Sequence, residues 1–476
     1  MEHPGSPRAR AVTYGALPLL SLAAVQAVQN GEMASLSFAF DGLKADFGTT
    51  DTALGALPFA MAVVGLGGAV PFGVLADKSR RTVLLAVAMA VWTLAMGVTA
   101  AAASFAFVFL ARMFVGAIEA NSPAAISLLS DFYPVRRRAS IMGRYQLGSF
   151  AGVLIANLGV GFAVQAGGWR WAFLTWVPFG VTVVVLLLRC REPTRGMQDA
   201  DYGDDMRAVA QTTAGAVELA AGLDAAADLE RVREHVPLPP PGRVGTLDYG
   251  ALGGRAVLRE LLRIRSMWFG LLAITVSQLL LNGLATWQIP YFMRVHHLSA
   301  PEAGGISSLL ALGAAGGILC GGILSDRYMR RGHLNGRVRV IAVGSVAATA
   351  VLMPAFASTD LGVTAPLFLV GGFFVTLPIA PSEAMLADVV VCELRGRAST
   401  VRSIVRTLSA AGPLVIGILI DLMGIRLALT LFMPIYGIGG LLVLLATRSY
   451  PRDVSFVVAE AARTLVGQGG PGASGA

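Results

Sequence analysis

Eight stretches of this 476-residue chain run for 21 residues or more without a charged side chain: 11–31, 52–76, 82–111, 145–169, 266–293, 303–325, 361–382 and 427–447. About 20 apolar residues carry an α-helix across the hydrocarbon of a bilayer, where a backbone cut off from water must close its own hydrogen bonds. The runs therefore predict membrane-spanning helices. Charged residues make up only 14% of the chain, against about 25% in soluble domains. A soluble enzyme, a disordered tail and a disulfide scaffold are excluded on that ground. Cutting the chain at charges, Pro/Gly clusters and turn residues predicts twelve spans, over 14–40, 51–76, 82–103, 105–130, 139–166, 170–189, 266–293, 302–326, 338–357, 361–388, 398–422 and 427–447.

The net charge of +8 would suggest a nucleic-acid surface in a soluble chain, but here it is a matter of topology. The loops after spans 2, 4, 8 and 10 hold thirteen basic residues, and the opposite loops and their borders hold four: Lys44, Arg170, Arg294 and Arg426. Basic loops stay in the cytoplasm, which places both termini there, in a multi-pass plasma (inner) membrane protein. No nucleic-acid partner is expected. Cys190, Cys320 and Cys392 lie far apart without a CxxC, and no HExxH or paired carboxylates accompany the five histidines. No metal, cofactor or membrane-enzyme chemistry is expected. A hydrophilic linker, 191–265, separates an N-terminal six-span unit (1–190) from a C-terminal one (266–450), and a tail follows (451–476). The end of the linker, Arg255 to Arg265, alternates arginines with Val257, Leu258, Leu261, Leu262 and Ile264. That pattern fits a short helix on the cytoplasmic membrane face, although a plain tether is the simpler alternative.

The two units repeat one another. GVLADKSRR at Gly73–Arg81 matches GILSDRYMRR at Gly322–Arg331, with Gly73/Gly322 and Asp77/Asp326 at a common offset of 249. DFYPVRRRAS at Asp131–Ser140 matches DVVVCELRGRAS at Asp388–Ser399, and WRWAF at Trp169–Phe173 matches the weaker IRLAL at Ile425–Leu429. Duplicated bundles around a midplane site are the build of many secondary transporters. With the R-x-x-x-G run at Arg112 and Gly116 and the Gly168–Trp171 turn, these residues resemble the major facilitator superfamily over nearly the whole chain, with Ser79 where that family usually has Gly. The resemblance implies an all-α membrane protein of two pseudo-symmetric six-helix bundles, alternating access, and a cytoplasmic gate at the loop signature. Gate candidates are Gly73, Asp77, Arg80 and Arg81 and their copies Asp326 and Arg330; anchoring the topology is the alternative role for them.

An ionisable group inside a span costs about 2.5–3.5 kcal/mol on insertion scales, so each one is a functional candidate. They are Glu32 in span 1, Arg112 and Glu119 in span 4, Glu383 in span 10, and Arg402 and Arg406 near the start of span 11. Seven residues of helix put Arg112 and Glu119 on one face, about 10 Å apart along the axis, with Gly116 between them leaving room for a close neighbour or a substrate. Counting residues inward from the outer edge puts Glu32 and Arg112 at about the same depth of 10–12 Å. The two should pair, as a proton-coupling switch or as a fixed bridge between spans 1 and 4. Glu119, with no cation of its own within a turn, is the single best coupling candidate.

Span 4, an acidic residue after Asn-Gly in span 1 and REPTRG at Arg191–Gly196 look like the spinster-like transporters and their bacterial relatives. In that group an acidic residue of span 1 and the Arg and Glu of span 4 are implicated in proton coupling, which carries over to Glu32, Arg112 and Glu119. The departure is Glu32-Met33, where the group has Asp-Arg. The group's known cargoes are sphingolipids and lysophospholipids, and the rival is the anion:cation symporter group, which takes small organic anions. The resemblance also implies a cavity lined by spans 1, 4, 7 and 10, with Gly116, Gln278, Asn282 and Glu383, and Tyr145 and Gln146 of span 5, as substrate candidates; for Glu383, about five residues from Asp388, a gate role is an equal alternative. A single deep cation, Arg112, favours an amphipathic cargo. The expectation is a monomeric, proton-coupled transporter of a lysolipid-like solute. An organic anion/proton symporter, or a non-transporting sensor of the same fold, is the alternative.

Overall fold

The computed structural model describes residues 15–119, 121–133, 138–195, 254–391 and 394–457. Most of the linker and the last part of the tail lie outside the described residues. Span 1 is α1 (Leu17–Phe47), span 2 α2 (Asp51–Lys78) and span 3 α3 (Arg81–Ala100). Span 4 is two helices, α4 (Phe105–Ile118) and α5 (Ser122–Phe132). Span 5 is α6 (Arg138–Ile155), a π turn (Ala156–Val160) and α7 (Gly161–Gly167), and span 6 is α8 (Trp171–Leu174) and α9 (Trp176–Arg189). After α10 (Gly254–Arg263) come α11 (Arg265–Val295), α12 (Ala300–Arg330) and α13 (Gly336–Ala357) as spans 7 to 9. Span 10 is α14 (Leu361–Thr376) with α15 (Ile379–Asp388), span 11 is α16 (Arg395–Ser409) with α17 (Gly412–Met423), and span 12 is α18 (Ile425–Val443).

Among the described residues, ten segments are long and apolar enough to cross a membrane. The remaining two spans are α1, diluted by Gln26, Gln29, Asn30 and Glu32, and the divided span 4. The helix of span 1 runs seven residues past its expected end at residue 40. Asp41, Lys44 and Asp46 end the apolar stretch but not the helix, which stops at Gly48 (φ 62°), whose N–H closes on Lys44 O.

Spans 4, 10 and 11 break in the same way. Proline has no N–H and crowds the carbonyl four residues earlier, and the residues four before Pro123, Pro381 and Pro413 are Glu119, Leu377 and Ser409. α4 ends with Glu119 as its C-cap, α14 ends with Leu377 as its C-cap, and α16 ends at Ser409. At the first break, buried Asn121 donates its amide N–H to Ile118 O at 3.3 Å and so satisfies one freed carbonyl. The repeat also shows in the backbone: Gly168 and Gly424, at the third landmark of each half, both take left-handed φ (78° and 81°).

The chain forms two compact units, one of Met1–Gly48 and Ala60–Leu223, the other of Thr49–Phe59 and Asp224–Ala476. The division differs from the expected 1–190 and 266–450 in giving 49–59 to the second unit. Within that unit Asp421 accepts the N–H groups of Asp51 (3.0 Å) and Thr52 (2.8 Å), neutralising the N-terminus of α2, and Arg294 pairs with Asp51 at 2.9 Å. The helix expected before span 7 is present as α10. Its Leu261 joins a buried cluster with Met267, Leu271, Met385 and Leu394.

Each unit is closed by a seam of glycines. A Cβ on Gly148 or Gly152 of α6 would lie 2.2 or 1.9 Å from the carbonyls of Ala23 and Ala27 of α1. On α12, a Cβ on Gly313, Gly317 or Gly321 would lie 1.9, 2.0 or 2.1 Å from the carbonyls of Leu369, Phe373 and Leu377. Small residues four apart let helices approach backbone to backbone, the main source of packing where lipid removes the hydrophobic drive.

A clamp holds the end of the first unit that carries the GVLADKSRR loop. Arg81, buried, pairs with Asp131 at 2.6 Å and with Glu192 at 3.2 Å. Glu192 also accepts the N–H groups of Arg81 (3.1 Å) and Thr82 (2.8 Å), so a carboxylate sits on the N-terminus of α3. Arg195 donates to Ala76 O at 2.6 Å and Ser79 O at 3.0 Å, capping the C-terminus of α2. REPTRG thus supplies opposite charges to the two helix ends that flank the GVLADKSRR loop. In the second unit the counterpart positions are filled by Arg337, Asp388 and Tyr450, with Arg337 and Tyr450 both donating to Asp388.

Burial pushes Glu192 up, but the hydrogen bonds from Thr82 and Arg81 outweigh it and hold the carboxyl below its usual range. A lowered carboxylate stabilises above its unfolded value of about 4.3, and that contribution is lost as pH falls through the lower folded value. We expect the purified protein to lose thermal stability below about pH 4.3 and Glu192→Gln to be less stable than wild type at pH 7 and to show a flatter acid limb, measured by tryptophan fluorescence. We also expect Gly152→Ala to lower the unfolding temperature by several degrees, corresponding to overpacking of about 1–3 kcal/mol. Gly97→Ala, where a Cβ meets nothing within 4 Å, leaves it unchanged.

Candidate functional site

α1 and α4 bring the two expected charges together. Arg112 Nη1 lies 2.7 Å from Glu32 Oε1 and Nη2 donates to Glu32 Oε2 at 3.0 Å, with both side chains 0% exposed. The rest of the guanidinium is lined by soft groups: Met61 Sδ at 3.4 Å, Met96 Sδ at 3.9 Å and the Phe173 ring with its centroid at 5.6 Å. Arg112 Nε has no hydrogen-bond partner. Removing one member of such a pair strands the other and costs about 3–5 kcal/mol.

Glu119 caps the broken end of α4, half-buried, and accepts from Trp92 Nε1 at 3.1 Å. Glu32 and Arg112 are the charged groups whose fields reach it. Trp92 was not foreseen as a site residue; a buried tryptophan in an apolar span carries no sequence signal for the acid it serves. Gly116 is packed instead of open, because a Cβ there would lie 2.4 Å from Met61 O. The room it leaves is taken by α2.

The substrate candidates divide by access. Gln146 is exposed and accepts from Gln26 Nε2 of α1 at 3.4 Å, while Asn30 Nδ2 donates to Gln26 Oε1 at 3.3 Å. Gln26 and Asn30 in this amide row are half-buried. Tyr145 is buried, which keeps it from a substrate in this conformation. Gln278 and Asn282 of α11 are half-buried. Trp287 and Tyr291, next along α11, are sealed and tied to backbone carbonyls at Pro413 and at Ala355 and Phe356. Glu383 does not stand alone: Arg402 donates to it.

Among the gate candidates, Arg81 belongs to the buried clamp, Arg80 is exposed at the N-cap of α3, and Gly73 is half-buried. Asp326 is exposed and 3.9 Å from Arg337. The side chains of Asp77 and Arg330 lie outside the described residues.

The sequence profile of the Major Facilitator Superfamily matches residues 22–335 and 289–468. A probable galactarate/D-glucarate transporter of Bacillus subtilis is 23% identical over 65% of this chain and 64% of its own length. A probable L-galactonate transporter of Escherichia coli is 23% identical over 71% and 67%. The matched region thus spans about two thirds of these relatives. A probable sphingolipid transporter, spinster homolog 1 of Arabidopsis thaliana, is 31% identical over 34% of this chain and 33% of that protein. In three dimensions the chain is similar to an inward-facing, unoccupied bacterial homologue of the human lysosomal transporter Spinster, with a TM-score of 0.64, 21% identity and coverage of 95% and 96%. At that identity the likeness concerns the fold. Two pseudo-symmetric six-helix bundles and a profile match over nearly the whole length make this chain a multi-pass membrane transporter of the Major Facilitator Superfamily, not an enzyme.

Proposed function

We propose that the chain is a proton-coupled secondary transporter of a small organic anion, with Glu32, Arg112 and Glu119 as the coupling residues. The observation that carries this reading is the sealed Glu32–Arg112 pair with Glu119 at a helix break on the same helix as the arginine. A proton on Glu32 removes the counter-charge of Arg112 in a place without water, where an unpaired guanidinium is strongly unfavourable. The arginine then takes another anion or the bundle changes conformation, so proton and anion substitute for one another. Glu119, within the field of both, relays the proton past the break. Gln26, Asn30 and Gln146 offer amide donors and acceptors to cargo hydroxyls. Relatives named for sugar acids match about two thirds of the chain, which supports an anionic, hydroxylated cargo over the amphiphile expected from the span charges alone.

A lysolipid-like cargo is the second reading, supported by the 31% identity to the plant sphingolipid transporter homologue. Location in the plasma (inner) membrane with both termini cytoplasmic, a monomeric state, and gating by Gly73, Asp77, Arg80, Asp326 and Arg330 belong to the same proposal.

In proteoliposomes with an imposed pH gradient, labelled D-glucarate and a labelled lysophospholipid separate the two cargoes. Glu119→Gln is expected to lower gradient-driven uptake at least tenfold while gradient-free exchange persists; wild-type pH dependence in this variant refutes the coupling role. Asp77→Asn is expected to raise labelling of single cysteines from the cytoplasmic side, and unchanged accessibility removes Asp77 from the gate.

A further inference from the structure

Two of the ion pairs among the described residues differ in access. Glu32–Arg112 is sealed, whereas Glu383 and Arg402 remain 38% and 42% exposed while bonded to each other. Both lie near the ends of segments long enough to cross a membrane, Leu361–Asp388 and Val401–Met423. Charges there face water or a bundle interior, because lipid tails do not solvate them.

The local surroundings keep this pair open. On α15, Pro381, Ser382, Met385 and Leu386 are buried, so Glu383 stands on the opposite side with the small residues Ala384 and Ala387 beside it. On α16, Val401 and Val405 pack against the buried cluster of the second unit and fix the helix that carries Arg402. Breaking an exposed ion pair costs far less than breaking a sealed one, so an incoming oxyanion displaces a carboxylate from it at little cost. The guanidinium fork matches a carboxylate or a phosphate with two parallel hydrogen bonds.

We propose that Arg402 is the anion-docking residue of the C-terminal unit, and that Glu383 is an internal stand-in which the oxyanion of the substrate displaces. The inference rests on the transport reading above and adds the docking group. The ligand chemistry is an oxyanion, either the carboxylate of a small organic acid or the phosphate of a lysolipid headgroup.

Binding to the full-length purified protein in detergent, at fixed pH and without a gradient, tests it with two radiolabelled probes, D-glucarate and lysophosphatidate. Wild type is expected to bind one of them, which identifies the source of the oxyanion. Arg402→Gln weakens that binding at least tenfold, Arg402→Lys weakens it less, and Glu383→Gln tightens it about threefold or more. The opposite signs are the signature of an internal competitor. A purely structural pair weakens binding in both single variants and recovers in the Glu383→Gln/Arg402→Gln double variant, which overturns the proposal. So does wild-type binding in Arg402→Gln, or binding of neither probe to wild type. If Arg402→Gln does not fold, Arg402→Lys and Glu383→Gln still give the opposed signs or fail to. Because no proton gradient is present, loss of coupling in Glu119→Gln and failure of Arg402 docking are read separately.

Discussion

An arginine placed among apolar helices has to bring its counter-charge with it, and the N-terminal unit is arranged around that demand. Arg112 is held by a glutamate from another span and otherwise meets two thioethers and an aromatic ring. Such a pair is a poor stabiliser compared with well-packed apolar side chains of similar volume. The coupling role proposed above would give it a use in chemistry instead. The packing around it is close. α1 and α6 are fused at Gly148 and Gly152, α2 fills the space beside Gly116, and Trp92 holds Glu119 at the broken end of α4.

The two units share a plan and use it differently. Both close one end with an arginine at the start of the third span, an aspartate at the end of the fourth and a polar residue beyond the sixth: Arg81, Asp131 and Glu192 in one, Arg337, Asp388 and Tyr450 in the other. The ion pairs higher in the spans diverge. The first unit seals its pair, and the second leaves its pair partly exposed. Duplication supplied two equivalent scaffolds, and the charges were then placed separately in each.

Much of this could be read from the chain. The apolar runs gave the spans, the landmark offset gave the duplication, and helical rise brought Glu32 and Arg112 to one depth before their contact was known. The clamp was harder to see, because Arg81 and Glu192 lie 111 residues apart and a charge in a loop carries no periodic signal for its partner. The helix breaks were hidden for a different reason. Pro290, Pro354 and Pro434 ride inside continuous helices, so a proline in an apolar run does not say whether the span divides there. Span 1 misled through its charges: Asp41, Lys44 and Asp46 mark the end of the apolar stretch, while the helix goes on to Gly48.

The glycine seam of the second unit has a mechanical consequence. Gly313, Gly317 and Gly321 weld α12 to the segment of span 10 from Leu369 to Leu377, and the weld stops at the residue where span 10 breaks. Beyond that point side-chain packing replaces the close backbone contact: Met385 and Leu386 of α15 enter the buried cluster with Leu261, Met267 and Leu271, and a Cβ on Gly322 of α12 would lie at an ordinary 3.7 Å from Ala380. Glu383 and Asp388 both ride on that short helix, so Arg402, Arg337 and Tyr450 all bond to one segment seated by side chains. A span locked by backbone contact on one side of its break and by side chains on the other carries its charged groups on the half whose contacts rotamers can remake.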